Sequence, residues 1–304
     1  MFEVVFLGTS ASAPSAQRNV SATMVLYREY RFLIDAGEGT QRQLLKSGLG
    51  FRKLEHVLIT HGHLDHILGL AGIVSTLARW EVGERLTIYA GRAPIHRVRD
   101  LILGVVLRGQ RPPPWIDFVE LNPGIVLEDD KFELGAFRVK HRGPDSFGFL
   151  FQEKPRRPFQ PEKAEVLGVP FGPERSLLVA GQAITLPNGR IVHPDEVLGP
   201  AEAGTKLVYV GDVDEVAPLV EIAGGADALI IEATYAEGEA AMAAEHGHIT
   251  ARRAAWLARE AGVKRLYLNH ISRRYRGPEI EAEARELFPE AVVVKDFDQI
   301  QVKR

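Results

Sequence analysis

The run Thr60-His61-Gly62-His63-Leu64-Asp65-His66 constrains this chain more than any other feature. It places three imidazoles and one carboxylate within six residues. The preceding stretch, His56-Val57-Leu58-Ile59-Thr60, reads as a buried strand, so the ligands sit on the loop at its carboxyl end. Imidazole nitrogen and carboxylate oxygen are the donors that Zn²⁺ and other first-row divalent ions accept. The loop alone is too short for all four groups to bind one ion comfortably, which points to two ions and to partners elsewhere in the chain.

Composition narrows where those partners come from. None of the 304 residues is a cysteine, so any metal must be held by His, Asp or Glu, and a reducing compartment fits. With 45% hydrophobic and 25% charged residues the balance is that of a soluble globular protein with a sizeable core. The segment Met1-Phe2-Glu3-Val4-Val5-Phe6-Leu7-Gly8 enters a strand at once and lacks a signal-peptide pattern. No uninterrupted apolar segment is of membrane-spanning length, and a cytoplasmic protein is expected. A net charge of −3 argues against a general basic coat but leaves room for a local nucleic-acid patch aided by a dication. Basic residues cluster at Lys154-Pro155-Arg156-Arg157-Pro158 and at Arg273-Arg274-Tyr275-Arg276.

Hydrophobic patterning predicts strands at Glu3 to Leu7, Ala22 to Leu26, Arg31 to Ile34 and Leu86 to Ala90. It predicts helices at Thr40 to Lys46, Ile67 to Trp80 and Pro94 to Leu107, with a break at Arg111-Pro112-Pro113-Pro114 and several strands from there through Val139. Strands and helices alternate again after Lys206: strands Lys206 to Val210, Asp227 to Glu232, Arg265 to Leu268 and Ala291 to Val294, helices Thr250 to Ala261 and Pro278 to Leu287. Strand-rich halves finished by helices suggest two sheets between helical layers. Between them, about Glu153 to Thr205 is rich in Pro and Gly with weak periodicity, and reads as an irregular arm inserted in a single domain.

Further donors follow strands. Val139-Lys140 leads into His141, Val210-Gly211 into Asp212, Leu268-Asn269 into His270, and Ile230-Ile231 into Glu232. Two divalent ions a few ångströms apart need a shared carboxylate and a shared hydroxide, an arrangement that makes water nucleophilic and clamps charge on phosphorus. Asp212 suits the bridging place. His61, His63 and His141 would fill one site, and Asp65, His66 and His270 the other.

These residues carry a resemblance. The histidine loop resembles the HxHxDH motif of the metallo-β-lactamase superfamily. Phe6 to Pro14 with Arg18-Asn19-Val20, Leu33 to Gln41, Ile231 to Tyr235, His248 to Ala251 and Asn269 to Tyr275 resemble, in order, segments of the ribonuclease Z family. That resemblance implies a four-layer αββα sandwich and two zinc ions per chain, although manganese or iron would accept the same donors. It further implies a homodimer and hydrolysis of precursor tRNA just 3′ of the discriminator nucleotide. Asp65 would accept a proton, and His248 with Glu232 would assist the leaving group. His246 lies two residues from His248 and competes for that role. His56, His96 and His193 carry no motif and read as structural or surface residues.

The inserted stretch resembles the family's tRNA-gripping arm, with Gly172-Pro173 at the place of its Gly-Pro motif. Ser176 and Val179 depart from the Gly and Lys often found there. Candidate RNA contacts are therefore Gly172, Pro173, Lys154, Arg156 and Arg157 in the arm and Arg273 and Arg274 beside His270. The alternative in the same superfamily is a hydrolase of small phosphodiesters or aryl sulfates, which would not need some fifty extra residues. An iron oxidoreductase relative tends to carry Glu where this chain has His63, and a non-catalytic binding module would have lost ligands.

Overall fold

The computed structural model describes residues 1–80, 85–110, 113–143 and 145–304. The expected break at Arg111 and Pro112 lies outside them.

Six strands open the chain: β1 (Phe2–Gly8), β2 (Ala22–Tyr27), β3 (Tyr30–Ile34), β4 (His56–Leu58), β5 (Leu86–Ala90) and β6 (Ile116–Glu120). Three follow, β7 (Gly124–Glu128), β8 (Phe132–Val139) and β9 (Ser146–Glu153). A small hairpin, β10 (Ile184–Thr185) and β11 (Ile191–Val192), lies in the inserted stretch. Five more close the chain: β12 (Lys206–Tyr209), β13 (Ala228–Glu232), β14 (Leu266–Asn269), β15 (Ala291–Val293) and β16 (Gln299–Val302). One seven-stranded sheet runs β16-β1-β2-β3-β4-β5-β6, the other β15-β14-β13-β12-β9-β8-β7.

Strand periodicity explains the layering. In β1, Val4 and Phe6 enter one buried cluster while Val5 and Leu7 enter another. In β13, Ala228 and Ile230 share the first cluster, and Leu229 and Ile231 join a third. Successive side chains point to opposite faces, so strands apolar on both sides must be covered twice. The shared cluster lies between the sheets, where Phe2 and Phe32 pack on Phe151 at ring-centroid distances of 5.9 and 5.5 Å. Each such ring, fully buried, contributes ~1.5–3 kcal/mol. The outer faces are covered by helices, including Gly69–Trp80 on the first sheet and Ala251–Glu260 on the second. The result is the four-layer αββα sandwich that the resemblance implied.

Parallel pairing places the site. Strands β3, β4, β5 and β6 are mutually parallel, as are β12, β13, β14 and β15. Their carboxyl ends collect loops at one edge of each sheet, where α/β proteins assemble ligands.

Several boundaries differ from the sequence reading. β4 ends at Leu58, so Ile59 and Thr60 already belong to the loop. The helix expected over Ile67 to Trp80 is split into Leu64–Ile67 and Gly69–Trp80. The split lets Gly69 lie against Gly37, where a Cβ would come 2.0 Å from the Gly37 carbonyl oxygen. The helix expected from Pro94 starts at Arg92 and widens to π geometry over Asp100–Val106. β16 was not expected; its alternating polar residues hide an edge strand.

Residues Glu153–Gly204 form a second compact unit. They are less irregular than their composition suggests, holding helices Pro161–Val166, Pro173–Val179 and Pro194–Val197 besides the β10–β11 hairpin. Ala164, Val169, Leu178, Val192 and Val197 form its buried centre. These elements are too short to display a period, which is why the pattern was weak. Among the described residues, no helix is long and apolar enough to cross a membrane.

Candidate metal centre

His61, His63, His141 and Asp212 offer ligand atoms within 4.8 Å of one another, and so do Asp65, His66 and His270. Asp212 stands between the two sets. Its Oδ2 lies 3.6 Å from His61 Nε2 and 3.8 Å from His141 Nε2. Its Oδ1 lies 3.5 Å from His66 Nε2 and 3.3 Å from His270 Nε2. One carboxylate thus addresses both sets, one oxygen to each. Every ligand proposed from sequence is at this focus.

Four of the five imidazoles are turned by a hydrogen bond at their other nitrogen, while His63 presents its Nδ1 to His61 Nε2 at 2.8 Å. Asp35 Oδ2 accepts from His66 Nδ1 at 2.7 Å, and the Gly247 carbonyl accepts from His141 Nδ1 at 2.7 Å. Ser21 Oγ pairs with His270 Nδ1 at 2.8 Å, and Thr60 Oγ1 with His61 Nδ1 at 3.1 Å. This frees the Nε2 atoms of these four histidines to face inward, the usual support of metal-ligating histidine. His66 Nε2, His270 Nε2 and Asp212 Oδ1 are buried and have no hydrogen-bond partner. Buried polar atoms without partners are costly, and three on neighbouring donors of this type fit the needs of a divalent ion.

The backbone is shaped for this. Asp35 and His270 adopt left-handed φ of 57° and 54°, uncommon for residues other than glycine and typical of sites where geometry is imposed. Gly37 permits close approach of two loops, since a Cβ there would lie 2.2 Å from the Asp65 carbonyl oxygen. Gly247, at φ 72°, ends the helix Ala240–His246 and turns its carbonyl to His141.

The charges explain one another. Burial, joined by His66, holds His61 well below the ordinary imidazole range against the opposing pull of Asp212. Burial and His141 likewise lower His63. Burial opposes charge on His66, yet Asp212, Asp35 and Asp65 outweigh it and raise the group well above its usual value. Burial disfavours the Asp212 carboxylate, but His270, His66 and His61 overcome this and hold it well below the usual range. The site is a buried carboxylate ringed by imidazoles.

Beside it, His248 Nδ1 faces Glu232 Oε1 at 3.0 Å. Glu232 is buried and also accepts from Val213 N at 2.7 Å and from Thr234 Oγ1. Burial depresses His248, but Glu232 and then Asp212 more than offset it, so the imidazole is pushed up to about 9. His246 instead pairs with the Tyr235 hydroxyl at 2.6 Å. Asp65 Oδ2 accepts from Ser12 N at 2.9 Å. Of the histidines without a motif, His56 stacks on Phe32, and His96 and His193 are exposed.

Of the candidate RNA contacts in the first unit, neither Arg273 nor Arg274 is among the clustered donors. Arg273 is exposed, and Arg274 pairs with Glu239 at 3.0 Å. In the second unit, Arg157 donates to the Gly199 carbonyl at 2.9 Å and pairs with Asp195. Arg156 forms a backbone bridge to Glu202, and Lys154 is half-buried. Gly172 and Pro173 are exposed beside Phe171, over whose ring the Arg175 guanidinium sits at 3.6 Å.

Sequence reasoning missed the outer hydrogen-bond partners: Asp35, Thr60, Ser21 and the Gly247 carbonyl. Asp35 carried a readable signal, a carboxylate ending a strand as Asp212 does. The others look like ordinary loop residues.

The chain is similar to known proteins over its full length. A ribonuclease Z from Bradyrhizobium diazoefficiens is 44% identical over 302 residues, covering 99% of this chain and 100% of that one. A ribonuclease Z from Archaeoglobus fulgidus is 40% identical, covering 99% of this chain and 98% of its own. The crystal structure of the short form of human tRNase Z superposes with a TM-score of 0.69 at 26% identity, covering 99% and 100% of the two chains. Two family models match in part: the anti-Pycsar protein Apyc1 over residues 2–155 and the β-lactamase superfamily domain over residues 182–271.

Proposed function

This chain belongs to the ribonuclease Z family, and from that premise we propose that it cuts precursor tRNA just 3′ of the discriminator nucleotide, leaving a 3′-hydroxyl. The observation that carries the chemistry is the convergence of seven donor residues, Asp212 facing both sets, of which His66, His270 and Asp212 each present a buried atom with no hydrogen-bond partner. Two divalent ions, proposed to be zinc, would be held by His61, His63, His141 and Asp212 and by Asp65, His66, His270 and Asp212. When bound, they supply Lewis acidity that lowers the pKa of water and neutralises charge on the phosphate.

The chain's own groups would do the rest. Asp65, steadied by Ser12 N–H, accepts the proton released by the attacking water. The P–O3′ bond breaks, and His248 protonates the departing O3′. Glu232 keeps the imidazole charged and oriented, and its own place is set by Val213 and Thr234. The segment Glu153 to Thr205 would serve as a tRNA-binding arm through Gly172, Pro173, Lys154, Arg156 and Arg157, while Arg273 and Arg274 contact phosphates near the cut. A homodimer in the cytoplasm completes the proposal.

The test incubates the purified protein with a 3′-extended tRNA precursor, with and without a chelator. Metal-dependent cleavage at the acceptor-stem boundary supports the proposal. Turnover of small diesters or sulfate esters alone would put the alternative hydrolase in its place.

A further inference from the structure

A cavity of about 170 Å³ adjoins the metal centre, lined on one side by the ligands His61 and His63. Pro94, on the helix Arg92–Arg99, lines it together with Arg97 and Ser146. Arg97 is not loose: its Nη1 donates to the Gly62 carbonyl at 2.7 Å, which fixes the guanidinium at the wall and leaves its other donors free. Ser146 is 3% exposed and its hydroxyl has no hydrogen-bond partner. A buried hydroxyl left unpaired in a cavity wall calls for an occupant with polar edges. The volume is smaller than a drug-sized pocket and suits one flat ring system. Imidazole and proline side chains in the lining give a base something flat to pack on, and Arg and Ser offer edge hydrogen bonds, the combination that recognises an unstacked base.

The direction follows from the site. His63 and His248 flank His141, with ring-centroid distances of 5.0 and 5.4 Å, and His248 does not line the cavity. In the proposed mechanism His248 protonates O3′, so the departing oxygen would face His248, and the retained ester with the trailer nucleotide it carries would face away from it, on the His63 side of His141. We infer that this cavity is a base subsite for the first nucleotide of the 3′ trailer, held between His63, Pro94, Arg97 and Ser146. The inference rests on the ribonuclease reading above.

The experiment compares three precursors: an intact one, one abasic at the first trailer position, and one abasic at the discriminator position. Each is cut by the wild type and by Arg97→Ala and Ser146→Ala. The wild type should lose about ten- to hundredfold in kcat/KM on the trailer-abasic substrate, the effect of losing one stacked base. In both variants the ratio between intact and trailer-abasic substrates should fall toward one. Ser146→Ala deletes an unpartnered hydroxyl, so its fold and metal content should match the wild type and keep the test open if Arg97→Ala does not fold.

Indifference of the wild type to the trailer base, unchanged discrimination in the variants, or lost discrimination at the discriminator position instead would each overturn the subsite alone. A wild type that cuts no precursor overturns the ribonuclease reading, and this inference with it.

Discussion

Asp35 accepts the Nδ1 proton of His66 at 2.7 Å while the same carboxylate receives the Thr60 amide and hydroxyl, each at 2.8 Å. Through Thr60 it also reaches His61. A single buried carboxylate therefore orients one imidazole in each ligand set. Asp35→Asn keeps the volume and tolerates the left-handed backbone but weakens the hydrogen bonds to His66 and Thr60. Metal affinity should fall about 10–100-fold. Metal titration of the purified variant checks this; wild-type affinity would remove Asp35 from the account.

Removing divalent ions should abolish cleavage and lower the melting temperature. A ligand present at a thousand times its dissociation constant stabilises by about 4 kcal/mol. Thermal unfolding of chelated and reloaded protein measures the change, and an unshifted transition would mean that the converged donors bind no ion.

His248→Asn and Glu232→Gln should each lower kcat by about 10²–10⁴-fold with little change in KM, the usual size of a lost general acid. The two effects should not add in the double variant, because Glu232 acts through His248. Single-turnover cleavage of a tRNA precursor reads this, and full additivity would separate the two residues.

Asp65→Ala should abolish turnover while the protein stays folded, because the side chain is partly exposed at 15% and its loss uncovers no core. Circular dichroism and cleavage measured on the same preparation decide it. Retained activity would mean that another group takes the proton.

Excising Glu153–Gly204 should leave the sandwich intact. Gln152 and Lys206 are register partners on neighbouring strands, so a short turn can join their ends. The shortened protein should hydrolyse small diesters yet show a KM for precursor tRNA raised at least tenfold. An unchanged KM would deny the arm any part in tRNA binding.

The chemistry was legible in the sequence because it depends on residue type and strand ends. His61, His63, Asp65 and His66 are neighbours in the chain, and His141, Asp212, His270 and Glu232 each follow an apolar run. Period-2 strands apolar on both faces already demanded covering layers on each side. The split of Leu64–Ile67 from Gly69–Trp80, and the helices hidden in the Pro- and Gly-rich stretch, were not legible. Steric contact between Gly37 and Gly69 sets the first, and elements shorter than two turns show no period.

What the sequence by itself determined is the set of donor atoms and the order in which strands deliver them. What only the tertiary structure decided is their orientation. Which oxygen of Asp212 meets which histidine, and which ring nitrogen Asp35, Ser21, Thr60 and Gly247 leave free, depend on hydrogen bonds between segments far apart in the chain. Such partners are fixed by packing rather than by spacing, because backbone carbonyls and hydroxyls occur everywhere and become specific only when the fold points them at something.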